Sequence, residues 1–260
     1  MTPSCPADLV SFANRLADVA GDILRLHTHR AIDIEIKPDG TQVTNVDKAV
    51  ERAVRQEIES HYPEHGIRGE EFPAVRADAE YVWIIDPLDG TREFIYGLPL
   101  FGFLLALTHR GTIVLGLADQ PSTRDRWLGA DGHGTVFNGT PVTVRSCPTL
   151  AEATISTMGY DTFCAQHHDR LLALRNLARA RVTADSFYVF GLVALGRVDL
   201  IASSGFALHD YASLDAIIRN AGGTVTDWQG RRLTLTSDGT ILVAGDAALI
   251  PEALRLLGTN

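Results

Sequence analysis

Apolar residues recur at helical spacing from Asp8 to about His29, with Leu9, Phe12, Leu16, Val19, Ile23, Leu24 and Leu26 in that period. The pattern predicts an amphipathic helix capped by Ser4 or Asp8. The short alternating run Ile32 to Ile36 reads as a strand, Asp39-Gly40 as a turn, and about Asn45 to His61 as a second helix. Val82 to Ile85 is apolar throughout and ends in an acid, as a buried strand does. Leu100 to Thr108, Thr112 to Ala118 and Arg126 to Leu128 continue as strands, and Asn138-Gly139 before Val142 to Val144 is a hairpin signal. Helices packed on an antiparallel sheet are expected up to Ser146. Beyond it the texture changes to short strands, Thr154 to Thr157, Arg181 to Thr183, Val198 to Ala202, Thr224 to Thr226 and Ile241 to Ala244. Helices in 166–180, 187–195 and 211–221 alternate with them, which predicts a mixed or parallel sheet covered by helices. The division is drawn at 1–146, helices plus an antiparallel sheet, and 147–260, an α/β unit, with no low-complexity linker between them.

Composition narrows the class. The chain has 260 residues, 45% apolar and 21% charged, enough to build its own core without disulfides or a structural metal. Its net charge of −9 argues against nucleic acid or an anionic membrane as partner, since both select clustered Lys and Arg. Cys5, Cys147 and Cys164 are an odd number without metal-finger spacing. The N-terminus lacks a basic and apolar leader, and no later run is long enough to cross a bilayer. An unprocessed cytoplasmic protein is expected.

Candidate chemistry concentrates in Asp86-Pro87-Leu88-Asp89-Gly90-Thr91. Asp86 is expected at the carboxyl end of the buried strand, Pro87 to stop the ladder, and Asp89 to follow on a tight turn. Asp-Pro or Asp-Gly alone is ordinary turn chemistry. Together, behind an apolar strand, they bring two carboxylates into one small volume, which needs a shared proton or a cation. Oxygen donors of that kind suit Mg²⁺ or Mn²⁺. Gly90-Thr91 can open a short helix whose free N–H groups seat an anion beside the metal. Gly69-Glu70-Glu71, placed in a loop, and Asp210, at a helix start, could converge there. Alone they read as a solvated pair and a helix cap. Lys37 to Asp47 is a polar hairpin, Trp83 is core, and His167-His168 is a solvated helix start.

These residues resemble the inositol monophosphatase family. Asp86 to Thr91, behind an apolar strand and Gly69-Glu70-Glu71, is similar to the family's first signature. His209-Asp210-Tyr211-Ala212 followed by Ala221-Gly222-Gly223 is similar to the second, with His209 where the family usually carries Trp or Tyr. Lys37 to Asp47 resembles the hairpin that closes over the metals. The resemblance covers nearly the whole chain and implies an α/β (α+β) fold, a layered α/β/α/β/α sandwich. It implies a Mg²⁺-dependent, lithium-sensitive phosphomonoesterase, homodimeric, acting on a small phosphorylated metabolite. Glu70, Asp86 and the carbonyl of Leu88 would hold one Mg²⁺, and Asp86, Asp89 and Asp210 a second; Mn²⁺ and a third ion stay open. By the same resemblance Glu70 with Thr91 orients and deprotonates the attacking water, Asp47 fixes the Thr91 hydroxyl, and the amides of Gly90 and Thr91 hold the phosphate. No phosphoenzyme is needed.

For the substrate, Phe94 to Gly102, Asp119-Gln120-Pro121 with Arg126-Trp127, and Thr226 to Gly230 resemble the branch that dephosphorylates histidinol phosphate. The candidate substrate contacts are Asp89, Asp185, Ser186 and Ser203. Two positions that are acidic in that branch align with Ser186 and Ser203, with Asp185 one residue away. Histidinol phosphate is the first expectation, and inositol 1-phosphate or a related cyclitol or sugar phosphate the second. A non-catalytic homologue that binds a phosphorylated metabolite is the expectation of a different class.

Overall fold

Helix α1 (Ala7–His27) buries Leu9, Phe12, Ala13, Leu16, Ala17, Ala20 and Leu24, the stripe its 3.6-residue period dictates. The computed structural model describes residues 4–38, 40–157, 167–183 and 186–258. A hairpin of β1 (Ile34–Ile36) and β2 (Gln42–Thr44) follows and runs directly into α2 (Asn45–His61). At that junction the Thr44 hydroxyl accepts from the Val46 N–H, and Asp47 Oδ2 accepts from the Thr44 N–H at 2.9 Å. The reciprocal cap fixes where the helix begins.

Next come β3 (Gly66–Gly69), β4 (Tyr81–Asp89), α3 (Thr91–Ile95), β5 (Gly102–His109), β6 (Thr112–Gln120), β7 (Asp125–Ala130), β8 (Gly134–Phe137) and β9 (Thr140–Val142). These seven strands form one sheet in chain order. Every pair is antiparallel except β3 with β4, which is parallel. The sequence gives no hint of β3, because Gly-Ile-Arg-Gly carries a single apolar side chain and is too short for a period to register. Its pairing with β4 makes it a strand. The turn between β8 and β9 is as expected: Asn138 and Gly139 both have positive φ, 48° and 78°.

The rest of the chain supplies β10 (Thr154–Ser156), α4 (His168–Leu177), β11 (Ala180–Val182), α5 (Tyr188–Ala194), β12 (Leu200–Ser203), α6 (Leu208–Asn220), β13 (Thr224–Thr226), β14 (Ile241–Ala244) and α7 (Ile250–Leu257). The strands form a mixed sheet in the order β11-β10-β12-β14-β13, parallel over the first three and antiparallel thereafter. Just before α4, the ring of His167 packs 4.7 Å from that of Trp228, so this histidine is not merely solvated. Trp83 is fully buried, as expected, with Nε1 donating to His65 Nδ1.

Period-two alternation assigns the faces of the large sheet. Trp83, Ile85, Phe103, Leu105 and Leu107 pack with α1 and α2, while Leu104, Ala118 and Trp127 pack with α5 and α6. Helix α6 comes unusually near the sheet because Gly116 offers no side chain; a Cβ there would lie 2.0 Å from the Ser213 carbonyl. The same two helices meet Ile201, Val225, Ile241 and Val243 of the second sheet. That sheet's other face carries α4 and α7 through Leu200, Ala202, Leu242 and Ala244. The layers therefore run α/β/α/β/α.

Candidate active site

Pro87 does not stop the ladder. Strand β4 continues through it to Asp89, with Asp86 opposite Leu104 and Asp89 opposite Gly102. Three steps along β4 match two along β5, so a bulge absorbs one extra residue. In a regular strand side chains three apart point to opposite faces. The extra residue returns Asp89 to the side of Asp86, and Pro87, which has no N–H, loses nothing by sitting in the bulge.

The third acid arrives from the layer behind. Asp210 is the third residue of α6 rather than its cap, and its Oδ2 accepts from the Ala207 N–H at 2.6 Å. Helix α6 begins at Leu208, earlier than the 211–221 expected, which places His209 and Asp210 in its first turn. Carboxylate oxygens of Asp86, Asp89 and Asp210 all lie within 4.8 Å of one another. Burial, then the charges of Glu70, Asp89 and Asp210, raises Asp86 well above the usual aspartate range. Burial and the charge of Asp210 push Asp89 up to about 8, although the Phe187 N–H works the other way. Asp210 is raised as well, chiefly by burial. Three acids of one sign this close, one buried and two half-buried, need protons or a cation. Their donor set is oxygen only, which fits a hard divalent ion.

Glu70 follows β3 directly. Its Oε1 and Oε1 of Glu71 each accept from Lys37 Nζ at 2.7 Å, so the hairpin reaches into the site from across the chain. Burial opposes the Lys37 charge, but these two hydrogen bonds outweigh it and hold its pKa above the ordinary lysine value. Glu71 is not solvated: its side chain is 4% exposed, and burial raises its pKa. His209 Nε2 stands 3.4 Å from Asp210 Oδ1 and 3.9 Å from Glu70 Oε2, bridging the two arms. Thr91 Oγ1 lies 3.1 Å from Asp47 Oδ1 and 3.0 Å from the Leu88 carbonyl, sharing its proton between them. Gly90 precedes α3 with φ of 79°, and a Cβ there would meet the Leu100 carbonyl at 2.7 Å.

The structure thus brings Glu70, Asp86, Leu88, Asp89, Asp210, Thr91 and Asp47 to one region. Ser186 sits beside it, 3% exposed, with its hydroxyl donating to the Leu100 carbonyl and accepting from the Tyr188 N–H. Its neighbour Phe187 donates its N–H to Asp89 Oδ2 at 3.4 Å. Ser203 is buried at the end of β12, opposite Ile241. Asp185 lies outside the described residues. Sequence reasoning brought Lys37 to the site only as part of the hairpin, and Glu71 only within Gly69-Glu70-Glu71, and gave neither side chain a role. A lysine in a Lys-Pro-Asp-Gly turn carries no mark that it will meet acids 33 residues away.

The chain matches the inositol monophosphatase family over residues 6–257. It belongs to that family. The chloroplastic bifunctional phosphatase IMPL2 of Arabidopsis thaliana is 36% identical over 94% of this chain and 73% of its own. A histidinol-phosphatase of Mycobacterium tuberculosis is 34% identical over 97% of this chain and 99% of its own. Among solved structures, an inositol monophosphatase from Zymomonas mobilis is 38% identical with a TM-score of 0.87, covering 97% of this chain and 99% of that one. As a member of this family the chain is a phosphatase, a phosphoric monoester hydrolase. Among the described residues no helix is long and apolar enough to cross a membrane.

Proposed function

We propose that this phosphatase hydrolyses a small phosphorylated amino alcohol, histidinol phosphate first, with two Mg²⁺ ions held by Glu70, Asp86, the Leu88 carbonyl, Asp89 and Asp210. The observation that carries the reading is the convergence of Asp86, Asp89 and Asp210 within 4.8 Å. Cations held there supply the charge neutralisation that phosphate monoester hydrolysis demands. The chain's own residues do the rest. Glu70 orients the attacking water and takes its proton, aided by the Thr91 hydroxyl, which Asp47 holds. The N–H groups of Gly90 and Thr91, at the start of α3, hold the phosphate. Attack is in line, so no Ser, Cys or His nucleophile is required.

One observation supports the cationic substrate: histidinol-phosphatases of Chlorobaculum parvum and M. tuberculosis align with this chain over 98% and 99% of their length. A second reading, an inositol or related cyclitol phosphate, is favoured by Ser186 and Ser203, hydroxyls where a cation would be gripped by acids. A cytoplasmic homodimer completes the proposal, in keeping with the family resemblance.

The test is phosphate release, with Mg²⁺, from histidinol phosphate, inositol 1-phosphate, fructose 1,6-bisphosphate and adenosine 3′,5′-bisphosphate. The highest kcat/KM on histidinol phosphate supports the first reading. The highest on inositol 1-phosphate supports the second, and a clear preference for either bisphosphate overturns both.

A further inference from the structure

Helix α2 carries Asp47, Glu51 and Arg55 at four-residue intervals, hence along one stripe. Asp47 holds Thr91. Glu51 has no part in the chemistry described above, yet it is fully buried directly behind the Glu70 arm. Its Oε2 accepts from the Glu71 N–H at 2.7 Å and its Oε1 from the Phe72 N–H at 3.3 Å. Arg55 completes the arrangement: its Nε donates to Glu51 Oε1 at 2.7 Å and its Nη2 to the Phe72 carbonyl at 3.0 Å. The guanidinium also lies 5.8 Å from the centre of the Phe72 ring. The main chain just after Glu70 is thereby gripped at two N–H groups and one carbonyl by two side chains of α2.

Gly69, immediately before Glu70, shows how tightly this contact is built. A Cβ at position 69 would stand 1.9 Å from Glu51 Oε1 and 2.2 Å from Glu51 Cδ. Gly69 is thus demanded by the close approach of the carboxylate. Every other residue type at 69 must displace Glu51 or the arm. A carboxylate is a costly group to bury, and here it is retained with its oxygens bonded to the segment that bears Glu70.

We propose that Glu51 is a positioning residue that sets the direction of Glu70, with Arg55 holding Glu51 and Gly69 admitting it. The role rests on the reading that Glu70 holds a divalent cation. Side chains that orient metal ligands typically change metal affinity by about 10- to 100-fold when removed. Glu51→Gln keeps the volume but presents an NH₂ group to the main-chain N–H or to Arg55, so one contact must break. Gly69→Ala attacks the same contact from the other side.

The experiment measures Mg²⁺ binding to the full-length variants by calorimetry, hydrogen exchange at the amides of Glu71 and Phe72, and the KM for substrate at saturating Mg²⁺. Both variants should bind Mg²⁺ about 10-fold more weakly or worse, with faster exchange at the two amides and a substrate KM within about twofold of wild type. The Glu51→Gln/Gly69→Ala double variant should be little worse than either alone, because both act through one contact. Wild-type Mg²⁺ affinity in folded Glu51→Gln, or in folded Gly69→Ala should the first not fold, overturns the positioning role. Glu70→Gln measured alongside separates the two claims. If it binds Mg²⁺ as wild type does, the role of Glu70 is overturned; if it is impaired while Glu51→Gln is not, only the positioning role falls.

Discussion

Replacing Asp89 with Asn should stabilise the metal-free protein at neutral pH, although it removes a proposed ligand. Burial, with the charge of Asp210, pushes Asp89 up to about 8, whereas an aspartate in an unfolded chain titrates near 3.9. Between those values the folded protein keeps a proton that the unfolded chain has released. Stability falls as pH rises wherever the folded state binds more protons, so this acid is harmless near pH 4 and increasingly costly above it. Each unit corresponds to about 1.4 kcal/mol, and the roughly three units to pH 7 amount to about 4 kcal/mol. Asn has no proton to retain, and its amide oxygen can still accept the Phe187 N–H that Asp89 Oδ2 accepts. For a chain of this size the difference corresponds to about 10 °C in Tm. Thermal melting in chelator from pH 4 to pH 8 is the assay. The two curves should meet near pH 4 and separate in favour of the variant, by about 10 °C at pH 7. Excess Mg²⁺ should close the gap, because the wild type gains more from binding. Parallel curves across the range, or a variant less stable than wild type at pH 8 in chelator, would refute the reasoning.

Other outcomes follow from the same geometry. Phosphate release should cease in chelator and return with Mg²⁺; undiminished turnover in chelator contradicts the proposed mechanism. Asp86→Asn and Asp210→Asn should each lower kcat at least about 100-fold while circular dichroism remains native, and a wild-type rate in either removes that residue from the ligand set. Ser203→Asp should raise kcat/KM on histidinol phosphate about tenfold relative to inositol 1-phosphate by supplying a partner for the ammonium group. An unchanged ratio argues against that position as a substrate contact.

How much of this was legible in the sequence depends on the range over which each signal acts. The stripe of α1 and the extent of α2 are written in local periodicity and appear where expected, but neither Ser4 nor Asp8 caps α1, whose N-cap is Pro6 with no side-chain hydrogen bond. The apolar run at 82–85 marked β4, but the local meaning of Pro87 was misleading. A proline ends a ladder only if its missing N–H is needed, and a bulge removes the need. Strand β3 exists because β4 lies beside it, a non-local cause that four residues cannot announce. Turn chemistry could suggest that Asp86 and Asp89 converge. Only the packing of α6 between the two sheets brings Asp210 to them, and that depends on Gly116, nearly a hundred residues earlier. The reach of Lys37 to Glu70 and Glu71 is equally a product of tertiary structure.

The bulge in β4 has an effect beyond aiming two side chains. The Leu88 N–H turns to Asp86 Oδ1 at 3.1 Å, and the Leu88 carbonyl receives the Thr91 hydroxyl. Position 88 therefore serves the site through atoms that nearly every amino acid possesses, while its side chain, 1% exposed, answers only to the core. Isoleucine or methionine there should be silent for turnover. Proline, the one residue that lacks the amide hydrogen, should not, which makes this a place where mutational tolerance reports on the backbone instead of on chemistry.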